Sequence, residues 1–296
     1  MGPLSSVRAW RLSPPLAAIE IENKAMAKAR EEEPQTFADY VKLVEDLQTN
    51  HDSPLWYRGS GRALYQLLPS LYRHRTCKRI NDLARLENQL MTRFRQRSIP
   101  LHSRPLVDDW DALFFMQHYG VPTRLLDWTE SPFIGLYFAV MSTPIRCGRT
   151  GEPEFKDDAA VWVLDPVAWN RHSLSHQSYD GGVLTPGDDA LKGFRPAPTF
   201  TGMFNHPVAL YGAHNSPRIV AQRGVFAIFG QNTEPMERLY DSERFPAGCL
   251  LKVVLKRARI NRFRRSVLNY GVCESVVFPD LDGLAKEIRR SFGFEV

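Results

Sequence analysis

The chain has 296 residues, 43% hydrophobic and 24% charged, with 38 basic against 33 acidic side chains and a formal net charge of +5. This composition supports a globular core, excludes a disordered chain, and permits an anionic partner without requiring one. No run of 18 apolar residues occurs and residues 1–10 lack the apolar core of a signal peptide, so a cytoplasmic protein that does not enter the membrane is expected.

Residues 19–33 are rich in Ala, Glu and Lys, good helix formers, and Pro34 closes the run. Thr36 is placed to cap the next helix, with Asp39 three positions on as a capping box. Phe37, Tyr40, Val41, Val44 and Leu47 supply that helix with an apolar stripe. Residues 55–58 read as a short aromatic strand ending at Gly59. Residues 69–79 are irregular and basic. A helix is expected over 82–97, where Leu83, Leu86, Leu90 and Phe94 recur at spacings of three and four. Another covers 110–119, ended by Gly120 and Pro122, and a third 132–141, opened by Ser131-Pro132. Residues 123–128 read as loop or short strand.

The second half turns to strands, over 160–164, 208–211, 225–229, 250–255 and 272–278. Between the first two, residues 172–201 are Gly- and Pro-spotted, a candidate lid or insertion. Residues 280–292 form a closing helix, with Asp280 and Asp282 suited to its first turn and Arg289 and Arg290 to its last. Helices first, then a mainly antiparallel sheet, is an α+β order, and the strands lack the regular intervening helices of a Rossmann fold.

The four cysteines, Cys77, Cys147, Cys249 and Cys273, show no metal-ligand spacing, and reduced thiols are expected. His172 and His176 lie four apart, but in the irregular region, and no metal site is expected. No phosphate-binding glycine loop or nucleophile elbow occurs. Polar residues inside apolar segments are more informative. Arg58, at the end of an aromatic strand, suits bidentate contact with a phosphate, with Gly59 letting a ligand approach the backbone; pairing with a buried carboxylate is the alternative. Gln117, His118, Tyr119, Thr123, Arg124, Asp127 and Trp128 surround a Gly-Val-Pro turn and imply a hydrogen-bonded network, in which Arg124 and Asp127 are a candidate buried ion pair. Glu274 alternates with apolar neighbours as an inward-facing strand carboxylate would; an edge strand with Glu274 in water is the alternative. Lys252, Lys256, Arg257, Arg259, Arg262, Arg264 and Arg265 form an acid-free basic segment able to track RNA or DNA phosphates, or to be a solvated face. A second basic cluster is Arg73, Arg75, Lys78 and Arg79.

These residues carry a resemblance to the FRG domain family. The motifs are Tyr57-Arg58-Gly59, the run from Gln117-His118-Tyr119-Gly120-Val121-Pro122-Thr123-Arg124-Leu125-Leu126-Asp127-Trp128-Thr129 into Ser131-Pro132, Leu136-Tyr137-Phe138-Ala139, Pro217-Arg218-Ile219, Gln222-Arg223-Gly224-Val225-Phe226 and the tail from Phe278-Pro279-Asp280. The resemblance divides the chain into a helical extension, 1–36, and an FRG domain, 37–296. Its order of parts is similar to an ADP-ribosyltransferase: an early strand arginine, a middle polar segment and a late strand glutamate. The implied fold is an ADP-ribosyltransferase-like split sheet, and the implied activity transfers ADP-ribose from NAD, the substrate, to a nucleic acid or protein acceptor with release of nicotinamide. Arg58 would hold NAD and Glu274 would be the catalytic carboxylate. Tyr57, Gly59, His118, Tyr119, Thr123, Arg124 and Gln222 would line the cleft. The chain shows neither a Glu-x-Glu pair nor a Ser-Thr-Ser strand, which disfavours arginine as acceptor. A regulatory protein partner would suit such an enzyme. The alternative is a non-enzymatic module binding a nucleotide or nucleic acid.

Overall fold

The computed structural model describes residues 29–101, 105–147, 153–197, 199, 203–213 and 216–294. Its strands are β1 (Arg30–Glu32), β2 (Trp56–Ser60), β3 (Leu125–Thr129), β4 (Ile145–Cys147), β5 (Pro153–Phe155), β6 (Ala159–Leu164), β7 (Val208–Leu210), β8 (Gly224–Ile228) and β9 (Leu250–Leu255). Its α-helices are α1 (Phe37–Thr49), α2 (Ile80–Ser98), α3 (Asp109–His118), α4 (Pro132–Met141), α5 (Pro166–Ser173), α6 (Pro217–Ala221), α7 (Met236–Ser242), α8 (Ile260–Asn269), α9 (Glu274–Val277) and α10 (Leu281–Ser291). The fold is α+β. None of the helices among the described residues is long and apolar enough to cross a membrane.

One open seven-stranded sheet runs β1-β9-β6-β2-β3-β8-β7, while β4 and β5 pair with each other as a separate ribbon. Neighbours in the large sheet are antiparallel except β1, which runs parallel to β9. Period-two alternation sends side chains to two cores. Trp56, Trp162, Leu164, Leu126 and Trp128 meet α5 and α7 through Trp169 and Leu239. On the other side Tyr57, Val161, Val163 and Val253 meet α1, α4 and α8 through Tyr40, Leu136 and Phe263. A third cluster joins Leu125, Phe226 and Ile228 to Leu113 and Phe114 of α3.

The joint between β2 and β3 positions the site. These strands share one registered pair, Tyr57 with Thr129, against five between β2 and β6. Beyond that pair, no ladder holds them together. Packing of α4 on β2 is unusually close: a Cβ on Gly59 would stand 2.0 Å from the Gly135 carbonyl oxygen and 2.4 Å from the Ala139 nitrogen. Gly59 therefore permits the approach of a helix backbone.

Capping chemistry behaves as expected. The Thr36 hydroxyl accepts from the Asp39 N–H at 3.1 Å and the Asp39 carboxylate accepts from the Thr36 N–H at 2.9 Å, a complete capping box. Ser131 caps α4 and Asp280 caps α10.

Two expectations are corrected. The helix over 19–33 lies outside the described residues as far as 28, and beyond them Arg30–Glu32 is an edge strand. Ladder bonds to β9, and the Lys252–Glu31 ion pair at 3.1 Å, outweigh local helix propensity. Residues 172–201, the candidate lid or insertion, carry structure in their described part, which ends α5, forms two 3₁₀ turns and buries Leu174, Leu184, Leu191 and Phe194. Within residues 272–278, expected as a strand, Glu274–Val277 form the short helix α9, caught between the helices on either side.

Candidate functional site

A cleft of about 260 Å³ opens at the weakly paired joint, lined by β2, β3, the end of α3, α6 and the start of β8. Its polar wall is Arg58, Gln117, His118, Asp127, Arg218 and Gln222, and its apolar wall includes Trp128, Phe138, Ile219 and Phe226.

Arg58 projects from β2, and its Nη1 donates to the Asp127 carbonyl at 2.5 Å, which bridges the two strands where their ladder stops. Burial lowers the guanidinium pKa from its ordinary value; the Asp127 carboxylate opposes that shift and Arg73 adds to it. Arg218, on α6, lies over the ring of Phe278 at 4.7 Å. Among the described residues neither Arg58 nor Arg218 has a carboxylate within ion-pair distance, so donors remain for an anion.

Asp127 is the exposed position of an otherwise buried β3. Its Oδ2 accepts from Gln117 Nε2 at 2.8 Å, and Gln117 Oε1 accepts from the Thr123 hydroxyl at 2.5 Å. This relay sets the amide orientation and aims the carboxylate. His118, the last residue of α3, sits beside it with Nδ1 3.4 Å from the Ser216 hydroxyl. Burial, then Arg218, lowers the His118 pKa, with Asp127 opposing, which favours the neutral imidazole. Gln222 donates through Nε2 to the Val277 carbonyl at 3.1 Å and accepts through its own carbonyl from Thr129 Oγ1 at 2.6 Å. It ties α9 to the cleft floor.

Several expected site residues lie elsewhere. Tyr57 touches the cleft, but its side chain is fully buried among α1 and α4, with the phenol pushed up to about 12 by burial. Tyr119 is 63% exposed and lies outside the cleft lining. Thr123 is buried and acts on the cleft through Gln117. Arg124 pairs with Glu87 of α2, not with Asp127: Nε reaches the two carboxylate oxygens at 3.0 and 2.9 Å, both side chains being wholly buried. Arg124 also donates to the Phe229 carbonyl at 3.1 Å and to the Phe194 carbonyl. Neighbouring strand positions face opposite sides, so an arginine one turn from Asp127 by eye is separated from it by the sheet. Glu274 does not line the cleft. It is buried on α9 and held by Arg290 Nε at 2.9 and 3.0 Å.

The sequence places Gln117 and Asp127 in a polar network, Asp127 as a candidate ion-pair partner of Arg124, and Arg218 only within a motif; in the structure all three line the cleft. The alternation of Asp127 within Leu-Leu-Asp-Trp is the signal that separates it from Arg124.

The basic segment over 252–265 is partly spent within the chain. Lys252 pairs with Glu31, Lys256 with Asp158 at 3.3 Å and Glu33 at 3.4 Å, and Arg259 with Glu33 at 3.3 Å. Arg264 lies over Phe155 at 5.7 Å, while Arg257, Arg262 and Arg265 face solvent. No group of three or more His, Cys, Asp or Glu among the described residues is arranged to hold a metal ion. Cys77, Cys249 and Cys273 are free thiols.

Compared with known proteins, residues 53–145 match the family model of the FRG domain. That segment carries Arg58, Gln117, His118 and Asp127. No curated protein matches the chain, and no solved structure matches it.

Proposed function

We propose that the cleft binds a nucleotide, with NAD as substrate, and that the chain breaks the bond between nicotinamide and ribose, passing ADP-ribose to water or to an acceptor. The observation that carries this reading is the meeting of Arg58, Arg218 and Asp127 in one cleft. Two cations without carboxylate partners among the described residues suit a diphosphate. An oriented carboxylate suits the positive charge that develops on ribose as the bond breaks. The enclosed volume suits one nucleotide-sized part of the ligand.

Chemically, the glycosidic electron pair leaves with nicotinamide, which departs neutral. The ribosyl carbon is captured by a water or acceptor oxygen or nitrogen, which releases a proton. Asp127 takes the role that the resemblance suggested for Glu274, whose carboxylate is committed to Arg290. Gln117 and Thr123 act by positioning Asp127.

The test is nicotinamide release from NAD by the purified chain, with and without RNA, DNA or protein acceptors. Asp127→Asn is expected to lower kcat about 10²–10³-fold with little change in KM. Arg58→Ala is expected to raise KM. Glu274→Gln is expected to keep its kcat per folded molecule while losing stability. Equal release by wild type and Asp127→Asn would overturn the assignment. Nucleotide binding without release under any addition would favour the non-enzymatic module, for which two cleft cations without a carboxylate partner among the described residues are the supporting observation.

A further inference from the structure

Residues 73–97 hold eight basic side chains and two acidic ones. Both acids are engaged: Glu87 is buried against Arg124, and Asp82 pairs with Arg85 at 3.5 Å. Arg95 is spent on Asp109 at 2.8 Å. The remaining cations, Arg73, Arg75, Lys78, Arg79, Arg93 and Arg97, are exposed, and none has a carboxylate within ion-pair distance among the described residues. The segment over 252–265 differs, since Lys252, Lys256 and Arg259 pair with acids of the chain.

These cations border an apolar hollow. Arg73, His74 and Arg75 line a space of about 580 Å³ whose apolar lining includes Leu86, Leu90 and Pro122. His74 Nδ1 accepts from the Cys77 N–H at 2.9 Å and closes the basic loop into a turn. In α2, Leu86, Leu90, Arg93 and Arg97 recur at spacings of four, three and four. One stripe of the helix thus carries the apolar lining first and Arg93 and Arg97 after it, over about 16 Å. An exposed aromatic ring stands close by: Tyr119, 63% exposed, packs edge-on against Phe115 at 5.1 Å, and Phe115 meets Phe94 of α2 at 6.2 Å. This face adjoins the cleft. The Leu71 N–H donates to the Thr123 carbonyl at 3.0 Å, the Thr123 hydroxyl holds Gln117, and Tyr119 lies edge-on to His118 at 4.7 Å.

We propose that this face binds a single-stranded nucleic acid, its phosphates on the cations of the loop and of α2 and a base stacked on Tyr119. A row of cations with every nearby acid already paired selects a polyanion. The exposed ring and the apolar hollow select unpaired bases, which a duplex keeps inside its own stack. A strand bound here would pass the cleft, where the reaction proposed above would find an acceptor. Binding is read without NAD, so this inference stands or falls apart from that reaction.

Fluorescence anisotropy of labelled oligo(dT) and oligo(U), about 12 nucleotides long, with the full chain tests this. Binding of either single strand supports the proposal, and the tighter of the two names its sugar. Affinity should fall with salt at a log–log slope of about −3, the value for four phosphates on a single strand. Arg73→Glu, Arg75→Glu and Lys78→Glu together are expected to weaken binding at least about tenfold, and Arg93→Glu with Arg97→Glu likewise. Tyr119→Ala should weaken it about tenfold and leave the salt slope unchanged. Circular dichroism should stay the same in each variant, because the replaced side chains face solvent. Arg257→Glu, Arg262→Glu and Arg265→Glu together should stay within about threefold of wild type, since salt screens distant charges. A wild-type chain that binds neither strand at about 50 mM salt would overturn the proposal. So would loss of binding in the 257, 262 and 265 variant but not in the 73, 75 and 78 variant, which would place the strand on the other basic segment. A duplex or polyglutamate bound as tightly as the single strands would overturn the choice of occupant, and an inert Tyr119→Ala would overturn the stacking.

Discussion

At the scale of single residues, buried charge and missing space decide most outcomes. Arg124 and Glu87 are both without solvent exposure, and burial raises the Glu87 pKa while Arg124 draws it down. Arg124→Met leaves that carboxylate buried and unpaired and is expected to cost about 3–5 kcal/mol in urea unfolding. Adding Glu87→Leu should recover part of the loss, since the unpaired charge goes while the Phe194 and Phe229 carbonyls remain without their donor. Gly59→Ala drives a methyl group into the α4 backbone and is expected to cost about 1–3 kcal/mol, read as a lower Tm. The invitation of Gly59 to a close neighbour was legible in the sequence; that the neighbour is a helix was not.

At the scale of elements, periodicity and caps were readable and partner choice was not. The helices α2, α3 and α4 fall where apolar spacing and terminal residues put them, within a residue or two. Strands β2, β6, β8 and β9 follow from runs of aromatic and β-branched residues. The errors arose at short segments with little pattern of their own. In α9, Val-Cys-Glu-Ser-Val-Val alternates like a strand, but Gly271, at φ 84°, ends α8 and Arg290 draws Glu274 towards α10. The neighbouring helices thus choose the conformation. Glu274→Gln should therefore lower stability by about 1–3 kcal/mol in chemical unfolding. Retained stability would mean that the Arg290 bond contributes nothing.

Across the whole molecule, charge and protonation act between elements distant in sequence. His172 and His206 come together near Phe245, at ring distances of 4.0 and 6.2 Å. Burial lowers both pKa values; each His172–His206 or His206–His176 repulsion adds to this, and Glu243 opposes it. A lowered histidine pKa means that the unfolded chain binds the proton more readily. Stability from these groups is thus complete above the unfolded value of about 6.5 and falls as pH drops towards the folded pKa values. Denaturation midpoints should decline from pH 7.5 to 5.5, and His206→Asn should flatten that decline. An unchanged slope in the variant would remove His206 as a cause.

By itself the sequence determined the α+β class, the helices α1, α2, α3, α4 and α10, the central strands and the motif whose residues build the cleft, because periodicity, caps and glycine positions act locally. It also placed Arg58 on a short aromatic strand ahead of Gly59. Only the tertiary structure decided which polar side chains share that space. Arg124 and Asp127 lie three positions apart, yet one is buried against α2 and the other opens into the cleft, since a strand sends neighbours to opposite faces and the packed helices settle which face is dry. Glu274 looked like a strand carboxylate and became a helix anchor because Arg290, sixteen positions on, supplies a stronger partner than water.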